Sequence, residues 1–208
     1  MPYQFKRFLE KLSSEKAPGP LPSFSLFHML HAIEVIAEKK IGRSKLAESL
    51  SVGEGAIRTI LERLKDAGLI ETSKVGCTLT SEGLKLLKEC RKILKRAEIG
   101  KSELTLAEYN SAILIKKGGY KIKSGVEQRD AAVRVGAKGA ITIIFRDGRL
   151  IIPSVSNNMA EDYPKATNQI VKRLKPEEND AIVIVSSDNI REAEYGTLAA
   201  AWTLLDDC

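Results

Sequence analysis

The chain has 208 residues, 43% hydrophobic and 29% charged, a balance that suits folded domains with buried cores and excludes a disordered or fibrous chain. No apolar run approaches the ~18 residues of a membrane-spanning helix, and the polar stretch Met1 to Glu10 lacks the apolar segment of a signal peptide, so no membrane partner and a cytoplasmic location are expected. The formal net charge of +6 lies in residues 1–100, which hold 18 Lys and Arg against 12 Asp and Glu, while residues 101–208 hold 15 of each; a basic half joined to a neutral one suggests that the first part meets a polyanion.

In chain order, Tyr3 to Leu12 predicts a short amphipathic helix, and Ala17 to Pro22, with three prolines, breaks it. Leu26, Leu30, Ile33 and Ala37 recur at helical spacing over Ser25 to Lys39, with Ser23 or Ser25 as the N-cap. Ile41-Gly42-Arg43 is a break. Ser44 then caps a short helix to Leu50, Ser51-Val52-Gly53 is a tight turn, and Glu54 to Ala67 is a third helix stopped by Gly68. Leu69 to Glu71 and Cys77 to Thr80 read as a small hairpin. Ser81 with Glu82 opens a long helix to about Ala97, with Leu86, Leu87, Cys90, Ile93, Leu94 and Ala97 as its apolar stripe. Lys85, Lys88, Arg91, Lys92, Lys95 and Arg96 make the rest of that helix basic, either a solvated face or a phosphate-binding one.

The stretch Ser44 to Glu71 carries the chemistry. Leu46, Ala47 and Leu50 pack one helix, Val52 fills the turn, Ile57 and Leu61 pack the next, and Gly68-Leu69-Ile70 leads into the hairpin. This pattern closely resembles the winged helix-turn-helix of MarR-like and IclR-like regulators, over roughly Phe24 to Leu94. The resemblance implies double-stranded DNA as the partner, with the third helix in the major groove. By it, Gly55, Arg58 and Thr59 face base edges and Arg63 lies on the same outward face. Ser44 and Lys45 bind phosphate at a helix start, and Lys74 reaches the backbone or minor groove from the wing tip. Glu54, Glu62 and Asp66 bring the charge of this helix near zero, which keeps open a second reading as a protein–protein adaptor.

Beyond Gly100 the pattern changes. Strands are predicted at Ser111 to Lys116, optionally Tyr120 to Lys123 after Gly118-Gly119, Gly139 to Phe145, Leu150 to Pro153 and Ala181 to Ser186. Helices are predicted at Gly125 to Val135, Tyr163 to Leu174 and Asn189 to Leu205. The order matches the split β-α-β pattern of ferredoxin-like domains. Ser124 to Ala137, together with Glu194-Tyr195-Gly196, is similar to an archaeal family of winged-helix proteins whose C-terminal half is a domain of unknown function. Glu127, Gln128, Arg129 and Asp130 are the candidate lining of a small-molecule effector pocket, with Arg129 pairing an acidic group. The competing reading of Ser124 and Glu127 is a capping box.

No catalytic constellation is evident: the C-terminal half contains no His, and Cys77, Cys90 and Cys208 are too widely spaced for a disulfide framework or a cysteine zinc site. His28 and His31 lack a third metal ligand and read as a core or surface pair. Neither a metal nor a cofactor is therefore expected. The whole reads as an α+β protein with an arm at 1–22, a winged helix and long basic linker helix at 23–100, and a ferredoxin-like effector or dimerisation domain at 101–208. The function implied is a homodimeric DNA-binding transcription regulator. The alternatives are the protein adaptor and a small enzyme with a regulatory winged helix.

Overall fold

The computed structural model describes residues 3–14 and 23–205, with side chains from Lys6; the proline-rich break at Ala17 to Pro22 lies outside them. The chain divides into two compact units between Arg91 and Lys92, earlier than the boundary expected after residue 100.

The N-terminal unit contains α1 (Tyr3–Ser14), α2 (Leu26–Glu38), α3 (Arg43–Leu50), α4 (Glu54–Asp66), the hairpin β1 (Ile70–Ser73) and β2 (Gly76–Leu79), and α5 (Ser81–Ile93). Met29, Leu30 and Ile33 of α2, Leu46 and Leu50 of α3, and Ile57, Ile60 and Leu64 of α4 are fully buried. Leu30, Ile33, Leu46, Leu50 and Ile57 are positions that helical spacing assigned to the inner faces, whereas Leu26 and Ala37 of the expected α2 stripe are only half-buried and Met29 takes an inner place. The expected arm is instead part of this unit: α1 packs on α2 and buries Leu9 and Leu12.

Local chemistry sets the helix ends. The Ser25 side chain accepts the Phe27 N–H at 3.3 Å, and His28 Nδ1 accepts the Ser25 N–H at 3.0 Å, a reciprocal cap. The residue before α3 is Gly42, which has no side chain to cap with. Ser44 therefore falls within the first turn rather than at the N-cap where it was expected. Thr80 caps α5, its hydroxyl accepting the Gly83 N–H at 3.1 Å.

The hairpin pairs Ile70 with Leu79 through Ser73 with Gly76, and Ile41 adds a bridge to Cys77. That third partner demands glycine at 76: φ is +126°, and a Cβ there would sit 2.8 Å from the Ile41 carbonyl oxygen. Gly83 is tighter still, for its Cβ would lie 2.2 Å from the Leu69 carbonyl oxygen.

The C-terminal unit contains β3 (Leu94–Glu98), β4 (Tyr109–Ile115), a single 3-10 turn at Gly119–Lys121, α6 (Val126–Arg134), β5 (Gly139–Arg146), β6 (Arg149–Ile151), α7 (Met159–Asp162), α8 (Pro164–Leu174), β7 (Ala181–Ser187) and α9 (Ile190–Trp202). The sheet order is β3-β4-β7-β5-β6, every neighbouring pair antiparallel. Ala112, Leu114, Ile143, Ile182 and Ile184 form one core with Ala166, Ile170 and Leu174 of α8. The alternate residues face α6 and α9, which pack on β4, β5 and β7. With helices on both sides, β7 is buried along its whole length, which explains its unbroken apolar run.

Three expectations change here. The long basic helix stops at Ile93, and Leu94 to Glu98 becomes β3, pairing with Ile115 to Ser111. Leu, Lys, Arg and Ala favour a helix locally, but the open edge of β4 supplies backbone partners that override the preference. Lys95 and Arg96 thereby leave the basic helix face. The optional strand at Tyr120 to Lys123 is a turn instead, because the Gly119 N–H bonds to the Asn179 carbonyl at 2.8 Å. Finally, the ferredoxin-like expectation differs in arrangement. Both split β-α-β crossovers are present, but α6 and α8 lie on opposite faces. The second and fourth strands of the expected pattern, β5 and β7, hold the centre rather than the first and third.

Asp180 closes this unit before β7. Its fully buried carboxylate accepts the N–H groups of Lys117 at 3.0 Å and Glu177 at 2.9 Å, and pairs with Lys116 Nζ at 3.2 Å. Burial alone lowers the Lys116 pKa, but the bonds to Glu177 and Asp180 outweigh it and the net shift is upward.

Candidate functional site

α3 and α4 are joined by a turn in which Ser51 is left-handed at φ 56° and the Val52 N–H returns to the Ala47 carbonyl at 3.1 Å. Burying Ile57, Ile60, Leu61 and Leu64 leaves Glu54, Gly55, Arg58 and Glu62 exposed and Thr59 half-buried. A Cβ added at Gly55 meets nothing within 4 Å, so this glycine keeps the helix surface flat without any packing need. Thr59 Oγ1 donates to the Gly55 carbonyl at 3.2 Å. Arg43, Ser44 and Lys45 are all exposed in the first turn of α3, where backbone N–H groups lack intrahelical partners. Arg43, which the sequence places in the break before α3, reaches Glu54 at 3.8 Å, offsetting one of the acidic groups on α4. Lys74 is exposed at the hairpin turn beside Val75, which is 70% exposed.

Arg63 does not belong to this surface. It is 7% exposed; its Nη1 donates to the carbonyls of Leu12 at 3.1 Å and Ser13 at 2.6 Å, and its guanidinium lies over the Phe24 ring. The last carbonyls of α1 lack intrahelical partners, and a cation at a helix C-terminus satisfies both their hydrogen bonds and the helix dipole. These carbonyls lie 51 and 50 positions away, so nothing nearby in sequence signals this use of Arg63.

The four candidate effector residues differ in their settings. Gln128 is buried and donates to Thr203 Oγ1 at 2.7 Å. Arg129 pairs with its neighbour Asp130 at 3.0 Å on the surface, and Glu127 is exposed. The capping box is altered as well: Gly125 is the N-cap, and Ser124 Oγ accepts only the Val126 N–H, at 3.4 Å. A cavity of about 310 Å³ lies elsewhere in the same unit, where β3 and the start of β4 meet α9. Its lining includes Glu98, Glu108, Tyr109, Ser111, Ile190 and Glu194.

His28 and His31 lie on α2, where His28 serves the helix cap. Burial, and secondarily His31, lowers the His28 pKa. The Cys90 thiol is pushed up to about 12, chiefly by burial, which keeps it protonated and unreactive. Among the described residues no three His, Cys, Asp or Glu side chains gather as a metal cage, and no helix is long and apolar enough to cross a membrane.

Residues 25–94 match the family described as the CggR N-terminal DNA binding domain, and residues 106–204 match the domain of unknown function DUF4443. The chain is thus similar to two families in succession, one over each part. That is the layout read from the sequence: a regulator-type winged helix ahead of a domain of unknown function. A hypothetical protein from Pyrococcus horikoshii, an archaeon, has a solved structure that matches 88% of this chain and 93% of its own, with a TM-score of 0.72 and 26% identity. The same two-unit layout therefore occurs in a second protein. ZitR from Lactococcus lactis matches 43% of the chain and 68% of its own at 24% identity and a TM-score of 0.31. A MarR family protein from Mycobacterium tuberculosis, solved with p-aminosalicylic acid, matches 43% of the chain and 72% of its own at 23% identity and a TM-score of 0.29. No protein of curated function matches the chain.

Proposed function

We propose that the chain is a transcription regulator that binds double-stranded DNA through α4, acts as a homodimer, and uses its C-terminal unit for dimer contacts or small-molecule sensing. The observation that carries this reading is the exposed, unpacked face of α4 within a region that matches a DNA-binding family. On it, Arg58 is the residue for paired hydrogen bonds to guanine, and Gly55 and Thr59 lie beside it on the groove side. Ser44, Lys45 and Arg43 supply phosphate contacts from the first turn of α3, and Lys74 supplies one from the wing. A two-fold dimer places two such helices one DNA turn apart.

The test is fluorescence anisotropy of the full chain with genomic duplex fragments at low and moderate salt. Affinity is expected to fall with salt, by a log–log slope of about −0.9 per phosphate neutralised. Arg58→Ala is expected to cost about 1–3 kcal/mol of specific binding. The exposed Glu54 and Glu62 favour the adaptor reading instead, and absence of DNA binding at every salt concentration would make that reading the better one.

A further inference from the structure

We propose that the cavity between β3, β4 and α9 is a binding site for a small organic amine carrying an apolar body. The inference deepens the sensing role above by giving it a location. It rests on that reading for its biological use but not for the binding itself.

The cavity exists because the sheet is wider than its helical cover. On this face α6 and α9 pack over β5, β7 and β4, and β3 extends the sheet one strand further. The β3–β4 register sets Glu98 opposite Ser111 and Arg96 opposite Ile113, so Arg96, Glu98, Ser111 and Tyr109 share the face toward α9. Ile190 and Ala193 of α9 form the opposite side. The volume of about 310 Å³ lies at the small end of the range for ligand pockets.

Three features choose the ligand. Glu98, Glu108 and Glu194 line the cavity against the single guanidinium of Arg96. Glu194 is held by Arg191 at 2.7 Å, whereas Glu98 and Glu108 are exposed and have no ion-pair partner among the described residues, so both are available to an added cation. Ser111, 9% exposed, lines the cavity, and its hydroxyl makes no hydrogen bond among the described residues. The hydroxyl oxygen is not sealed from solvent, and it is an acceptor open to an ammonium N–H. Tyr109 and Ile190 are 38% and 46% exposed, an aromatic ring and an aliphatic chain suited to a cation and its apolar body.

The site is also held in shape before a ligand arrives. Ser186 Oγ donates to Asn110 Oδ1 at 2.6 Å, and Asn110 Nδ2 donates to the carbonyls of Ala107 and Glu108, fixing the segment that carries Glu108 and Tyr109. Tyr195, with its pKa pushed up to about 12 chiefly by burial, stays neutral and adds no charge.

The experiment is isothermal titration of the full chain, without DNA, using phenethylamine, phenethyl alcohol and phenylacetate as probes. Saturable heat with the amine alone is expected. Glu98→Gln with Glu108→Gln should weaken it by about tenfold or more, as loss of hydrogen bonds to a charged group usually does. Ser111→Ala should weaken it less, and Glu38→Gln, on α2 and outside the cavity lining, should leave it unchanged. Equal binding of the alcohol, no saturable heat with the amine, or full affinity in the double variant overturns the proposal. Because no DNA is present, its failure leaves the DNA-binding reading standing, and failure of the anisotropy test leaves this one standing.

Discussion

The two units expose different kinds of surface. In the N-terminal unit each helix buries one face, and the residues left outside on α4 follow one another at helical spacing: Gly55, Arg58, Glu62. In the C-terminal unit the central strand is buried on both faces, and the open region lies where an edge strand outruns a helix. Its lining comes from three segments far apart in sequence, around residues 96–100, 108–111 and 190–194. A surface made by one helix can be read from its periodicity, whereas a surface made by strand pairing depends on which strands meet. The chemistry that holds each unit together differs in the same way, and four substitutions or conditions probe that difference.

The largest effect is expected in the C-terminal unit. Asp180→Ala removes a buried acceptor from two backbone N–H groups and Lys116; leaving such groups unpaired should cost about 3–5 kcal/mol. Asp180→Asn, which keeps one acceptor oxygen, should cost about half as much on the same reasoning. Hydrogen exchange should locate the loss in β4 and β7 and spare α2 to α4. Equal loss in both units would show that they do not fold as separate units.

Next is Arg63→Ala, which leaves two carbonyls of α1 without their charged donor and should cost about 1.5–3 kcal/mol in chemical denaturation. It separates stability from recognition within one helix. Arg58→Ala should weaken DNA binding and leave stability nearly unchanged, while Arg63→Ala should do the reverse once binding is corrected for the folded fraction. If Arg63→Ala weakened DNA binding as much as Arg58→Ala without loss of stability, its assignment to the interior would be wrong.

Gly83→Ala comes third. Its Cβ would lie 2.2 Å from the Leu69 carbonyl oxygen, so α5 must shift from the hairpin, at an expected cost of about 1–3 kcal/mol for overpacking. Gly55→Ala, which meets nothing, is the control and should be neutral or slightly stabilising in a thermal melt.

The smallest effect is pH-dependent. The folded pKa of His28 is lowered from 6.5, first by burial and then by His31. The folded state therefore holds this proton less tightly than the unfolded chain. Stability is full above the unfolded value and declines as pH falls through about 6.5. Protonation also removes the lone pair with which His28 Nδ1 accepts the Ser25 N–H. Thermal melts from pH 7.5 to 5.5 should show a decline that His28→Asn reduces, and an identical decline in that variant would remove His28 as the cause.

The amino-acid sequence by itself determined the helix-turn-helix. Local periods, a tight turn at Ser51 to Gly53 and a glycine stop at Gly68 act over a few residues, and each operates in the structure close to its expected place, whereas the cap expected from Ser44 does not form. It also determined the strands at Ala181 to Ser186, Gly139 to Phe145 and Leu150 to Pro153, where composition and flanking turn residues suffice. Only tertiary structure decided that Leu94 to Glu98 would be a strand, since the β4 edge that overrides its helical preference lies more than ten residues away. It likewise turned Arg63 inward, because the carbonyls of Leu12 and Ser13 that it serves are 51 and 50 positions distant. The cavity beside α9 is a third such case. Pairing free energies are collected across the fold, so no short window of sequence contains the partner that settles them.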